Sequence, residues 1–183
     1  HVAFTHLNSI GSAEDTDPDL TWERGENFVR GTRVARDLSP SKGMLARGIT
    51  YRMDVTKVMT FTPPCHVVID ITRTEAHPAP GQPARIAAHH MIINSMTPES
   101  ETRCHYFWAN ARDHDLENAA MTAMTLQQTG GAFEEDKRII EAQQRVINLD
   151  PLAPTINVIG DAGGVQARRI IDRLITEEHD VKG

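Results

Sequence analysis

Three side chains in this sequence, Asp136, His1 and His6, could together hold a metal ion with coordination positions left open. Asp136 is the anomaly that starts the argument. In the stretch GGAFEEDKRIIEAQQRVI (130–147), a helical projection of about 100° per residue puts Phe133, Ile139, Ile140, Val146 and Ile147 on one side and Glu134, Arg138, Glu141 and Arg145 on the other. Asp136 falls on the apolar side, within one helical turn of Phe133, Ile139 and Ile140. A carboxylate in such a place calls for a cation, a set of donors or a metal facing it. His1 and His6 would diverge by about 140° on a straight helix, so they converge only at a π-like turn or a helix end. Two imidazoles and a carboxylate on one face of an octahedral ion suit Fe(II) and leave room for dioxygen and a substrate. The ion would keep the carboxylate charged in return.

Composition narrows the classes of partner. With 19 Lys+Arg against 25 Asp+Glu in 183 residues there is no general basic excess, which argues against nucleic acid and anionic membranes. The length suits one domain with a real core. No apolar run reaches the roughly 20 residues of a membrane span and no signal pattern opens the chain, so the sequence reads as soluble and cytoplasmic. Cys65-His66 and Cys104-His105 invite a metal reading, but neighbouring side chains in a strand point to opposite faces, so neither pair should close on one ion. Two cysteines also rule out a framework of bridges.

The elements that must position Asp136 follow from periodicity. Residues 20–36 read as a hairpin turning at Gly25-Glu26-Asn27, and 37–48 as a loop. Runs 49–61 and 65–75, broken by Pro63-Pro64, alternate as paired strands; 76–83 is a proline-rich loop. Strands at 84–96 and 101–112 are joined by the turn 97–100, with His90, Ile92 and Asn94 on one face of the first and Tyr106, Trp108 and Asn110 on one face of the second. A helical stretch then begins near residue 116, capped by Asp113 or Asp115, and Gly130-Gly131 breaks or kinks it before the helix carrying Asp136. Asp161 caps a last amphipathic helix whose tail EEHDVKG should fray. Strands grouped before helices argue for α+β, with a long helix laid across one face of a curved antiparallel sheet. Asn94, Asn110 and Gln127 are the candidate residues of the enclosed pocket.

HVAFTH with its following polar loop, MTPESETRCHYFWANARD, FEEDKRIIEAQQ and the ending DAGGVQARRIIDRLI resemble the C-terminal catalytic domain of Rieske non-haem iron oxygenase α subunits, in the vanillate O-demethylase branch. The resemblance spans nearly the whole chain and is strongest in the helix motif. It implies a helix-grip (START/Bet v1-like) fold, with His1, His6 and Asp136 as the Fe(II) ligands. It implies O2-dependent hydroxylation or O-demethylation of an aromatic substrate, with electrons arriving from NAD(P)H through a reductase or ferredoxin. It also implies a homotrimer for the full-length enzyme. The [2Fe-2S] ligand set of such enzymes does not occur here, so residues 1–183 are expected to form the catalytic domain alone, with the N-terminal Rieske domain absent from this chain. The competing reading is a metal-free helix-grip ligand-binding module in which Asp136 pairs with Arg52 or Arg112. A hydrolase is disfavoured, because no G-x-S-x-G elbow is present and neither cysteine has an activating context.

Overall fold

Six runs rich in β-branched and aromatic residues pair in the order in which they are written. In the computed structural model, which describes residues 19–154 and 156–182, these are β1 (Asp19–Arg24), β2 (Val29–Leu38), β3 (Met53–Thr62), β4 (His66–Glu75), β5 (Ile86–Ser100) and β6 (Arg103–Arg112). They make one antiparallel meander, each strand bonded to its neighbours in sequence. The pleat sorts their side chains onto two faces. Partners directly opposite share a face, so register carries Trp22, Gly31, Met59, Ile69, Ile92 and Asn110 to one side of the sheet. That side is covered by helices. The other carries Glu23, Arg30, Thr60 and Asp70 and stays open. A register shift between Ala35 and Leu38 bends β2. Asp37 stands there at φ 55° and is held by Arg52 and His77.

Two long helices lie on the covered face. The first, preceded in the chain by the short α1 (Lys42–Ala46) inside the 37–48 loop, is α2 (Ala119–Leu149); the second is α3 (Ala162–Lys182). The expectation of a break at Gly130-Gly131 is not met, since α2 runs through both glycines as one helix of 31 residues. A glycine costs a helix about 1 kcal/mol relative to alanine, and packing of the helix against β6 outweighs that cost here. A Cβ on Gly130 would stand 3.5 Å from the Trp108 indole. The cap is Asn118, whose side chain accepts from the Met121 amide, rather than Asp113 or Asp115. The tail expected to fray is helical to Lys182. Asp161 ends a 3-10 turn just before α3, its carboxylate accepting from the Val158 amide. The turn expected at 97–100 falls after Ser100, because a bulge between Pro98 and Ser100 lets β5 continue.

α3 closes over β1 and β2. Arg173 donates to the Glu26 carbonyl and the Asn27 side chain, Arg24 donates to Gln166, and Ile170 is wholly buried. Among the described residues no helix is long and apolar enough to cross a membrane. The tightest contact is at Trp22, whose ring lies between two glycines: a Cβ would come within 2.6 Å of it from Gly31 and 2.3 Å from Gly163. The ring is rigid and flanked on both sides, so a methyl on either glycine must displace it. Gly163→Ala should therefore destabilise the protein by about 1–3 kcal/mol in denaturant unfolding, despite better helix propensity. Gly164→Ala meets only the far end of Arg168, at 3.7 Å, and should be neutral or slightly stabilising.

Candidate functional site

α2 faces the sheet with a stripe of mostly small or polar residues. Thr129 and Ala132 are its buried positions, Phe133 lies over Tyr106 and Trp108 with ring centroids 5.2 Å and 5.3 Å away, and Asp136 follows one turn after Ala132. Toward the start of the helix Thr122 Oγ1 accepts from Arg112 at 2.7 Å, and in the middle Thr129 Oγ1 accepts from Asn110 at 3.1 Å. Each of these contacts recurs at three, four or seven residues, the spacing of one helix face. Asp136 therefore reaches the sheet side by the same geometry, and its Oδ1 is sealed from solvent.

Beneath it, Asn94 is 3% exposed; its Nδ2 donates to the Val67 carbonyl at 3.0 Å and its Oδ1 accepts from the Tyr106 hydroxyl at 2.7 Å. Burial, and after it the negative charge of Asp136, pushes that hydroxyl up to about 12. Tyr106 thus remains a neutral donor at any ordinary pH. Asn110 Oδ1 is buried and has no hydrogen-bond partner among the described residues. Val67 also borders an apolar cavity of about 200 Å³ lined by Trp22, Met59, Phe61 and Gly163.

The fold and this arrangement have counterparts. Residues 1–177 match the family model described as the vanillate O-demethylase oxygenase C-terminal domain. The chain belongs to that family. A vanillate O-demethylase oxygenase subunit of Pseudomonas sp. (strain ATCC 19151) is 35% identical over 97% of this chain and 56% of the relative. A toluene-4-sulfonate monooxygenase system iron-sulfur subunit of Comamonas testosteroni is 28% identical over 98% of this chain and 53% of its own length. The chain thus spans about half the length of these curated relatives. A crystal structure of dicamba monooxygenase bound to 3,6-dichlorosalicylic acid superposes with a TM-score of 0.81 at 19% identity, over 98% of this chain and 53% of that one. At that identity the likeness speaks for the fold, a curved antiparallel sheet with helices in the helix-grip manner.

Within this vanillate O-demethylase-type domain the sequence-based candidates part company. Asn94, Asn110 and Asp136 gather between α2 and the strands β5 and β6. Gln127 does not join them: it is exposed, two residues and about 200° away from Thr129 around α2. His1 and His6 lie outside the described residues. Arg52 and Arg112, the partners a metal-free module would offer Asp136, are engaged elsewhere, with Asp37 and Ser39 in one case and with Thr122 and the carbonyls of His114 and Asp115 in the other. Among the described residues no group of three His, Cys, Asp or Glu could hold a metal. Cys65 does approach His66, Sγ to Nε2 at 4.0 Å, because it sits in the turn before β4 and escapes the strand alternation expected of it. The apolar residues expected beside Asp136 are partly wrong as a buried set, since Ile139, Ile140, Val146 and Ile147 are 48–66% exposed. Sequence reasoning did not single out Thr122 and Thr129, whose spacing of seven is the available signal.

His90 carries a pH response of its own. Arginine can only donate, so the 3.2 Å contact makes His90 Nδ1 the acceptor from Arg73 Nη1 and fixes the neutral ring. Burial first, then the charges of Arg73, His114, His89 and Lys57, push its pKa down to about 4 from an ordinary 6.5. Between these values the unfolded chain binds a proton that the folded protein refuses, so stability falls as pH drops through that window and is unaffected by this group above it. Unfolding titrations of the parent should lose about 1–2 kcal/mol more between pH 6.5 and 4 than those of His90→Gln. Parallel pH curves would refute the assignment.

Proposed function

We propose that this chain is the iron- and substrate-holding domain of a Rieske-type aromatic-compound oxygenase, with Fe(II) held by His1, His6 and Asp136. The observation that carries the reading is the position of Asp136 on the sheet-facing side of α2, above Asn94 and Tyr106, in a chain matched to this family from residue 1 to residue 177. A carboxylate with one oxygen closed off from water is a suitable third donor beside two imidazoles, and that donor set suits Fe(II). When bound, the metal supplies the activation of dioxygen for hydroxylation or O-demethylation of the substrate.

The chain's own residues do the positioning. Phe133, Trp108 and Tyr106 wall the site with aromatic surface. Asn94 anchors Tyr106, which keeps its proton and so adds no second negative charge beside Asp136. The buried Asn110 Oδ1 is an acceptor suited to a substrate hydroxyl. In this reading electrons come from NAD(P)H through a reductase or ferredoxin and a [2Fe-2S] cluster in a separate N-terminal domain, and the full-length enzyme is a cytoplasmic homotrimer.

Anaerobic loading with Fe(II) should give one iron per chain, and Asp136→Ala, His1→Ala or His6→Ala should each cut retention at least about tenfold. Retention unchanged in Asp136→Ala would refute the assignment.

A further inference from the structure

The dipeptide Cys-His occurs twice, at 65–66 and at 104–105, and the fold treats the two copies differently. Cys104 and His105 both lie within β6, so the pleat sends their side chains to opposite faces. His105 goes to the open face, where its Nε2 is 3.9 Å from Glu99 and its ring centroid 6.2 Å from that of Phe107. Cys65 instead stands in the turn one residue before β4, and its carbonyl accepts from the Met96 amide at 3.1 Å. Outside the pleat its side chain can lie on the same side as its neighbour's, and Cys65 Sγ is 4.0 Å from His66 Nε2.

His66 is positioned in its turn. It is the direct partner of Ser95 across β4 and β5, and its Nδ1 meets Ser95 Oγ at 2.8 Å. With one ring nitrogen committed to the hydroxyl, the other is turned to the thiol. A thiol, an imidazole within its reach and a third group that orients the imidazole are the parts of an activated nucleophile. The hydroxyl oxygen accepts from Nδ1–H whether the ring is neutral or charged, so Nε2 is free to take the thiol proton and then hold it against the thiolate. His66 is exposed and Cys65 half-buried, which leaves the sulfur open to a small solute. Ser95 follows Asn94 in β5 and therefore faces away from Asp136, on the open side of the sheet.

We propose that Cys65 is a reactive thiol that takes hydroperoxides, with His66 as its base and Ser95 as the residue that positions the base. Sγ attacks one peroxide oxygen, so that an S–O bond forms as the O–O bond breaks. The thiol proton passes to His66 Nε2 and from there to the leaving oxygen, which departs as water or an alcohol. Sulfur is oxidised by two electrons to the sulfenic acid, and the peroxide is reduced by the same two. A small free thiol then forms an S–S bond as the S–O bond breaks and water leaves, so Cys65 ends in a mixed disulfide that further thiol can reverse. This chemistry stands apart from the Asp136 site and holds whether or not iron binds there.

Cys104 is the internal control, being the more exposed thiol and also followed by a histidine. The unaltered chain is treated with hydrogen peroxide near neutral pH, with dimedone to trap sulfenic acid and a chelator so that no metal consumes the peroxide. Labelling of both cysteines is followed by peptide mass spectrometry. Cys65 should label at least about tenfold faster than Cys104 in the native protein, and the preference should vanish in concentrated urea, where only the fold has been removed. That comparison needs no variant. His66→Gln should bring Cys65 down to the rate of Cys104, Ser95→Ala should slow it part of the way, Ser95→Thr should keep most of it, and His105→Gln should leave it unchanged. With glutathione in place of dimedone, the Cys65 peptide should carry the mixed disulfide. Equal labelling of the two cysteines, faster labelling of Cys104, or a preference that persists in urea or in His66→Gln would overturn the proposal.

Discussion

How closely α2 can lie on β6 governs the rest of the site. A helix rests on a sheet at the distance its facing side chains permit, and here the facing positions are Thr129, Gly130 and Ala132 against Trp108 and Asn110. The small residues allow the helix to settle onto the indole, with Phe133 packed at its edge. Asp136 is then delivered one turn later, at a depth where one of its oxygens is out of contact with water. A Cβ at Gly130 would just touch the indole at 3.5 Å, so a side chain longer than alanine there would press on Trp108.

Among the described residues the strands bring one other carboxylate, Glu75, to the face that receives Asp136. Its strand carboxylate is clamped, its phenol is kept protonated by burial and by Asp136 itself, and its histidine is kept neutral by burial and by neighbouring cations. In a medium less polar than water these effects reinforce one another, because each charge raises the cost of ionising the next group of like sign. The outcome is a carboxylate beside a neutral phenol at one end of β5 and β6 and a neutral imidazole beside an arginine at the other.

Much of the sheet was legible in the sequence, since period-two runs separated by Pro63-Pro64, the 76–83 loop and Gly25 leave few other ways to fold. What was not legible depended on neighbours. The glycine pair was read as a break because helix propensity is a local quantity, whereas the helix is held by packing against β6. Gln127 is the one pocket candidate on α2 that the sheet does not take, because the sheet selects the small residues of the helix and leaves Gln127, like Ile140 and Val146, outside. That Arg24, Arg33, Lys57, Arg73 and Arg112 share one face was not legible in the sequence, since residues spread from 24 to 112 align only once the register is known. Asp136 could be found early because a carboxylate among hydrophobes is a local contradiction.

The uninterrupted course of α2 ties the start of the helix to Asp136. Thr122 accepts from Arg112 near that start, and Asp136 follows fourteen residues later, about 21 Å along the axis at helical rise. A break at Gly130-Gly131 would have made the two segments independent. As one rod, held to β6 through Arg112 at the start and against Trp108 in the middle, the helix fixes where the carboxylate stands relative to that strand.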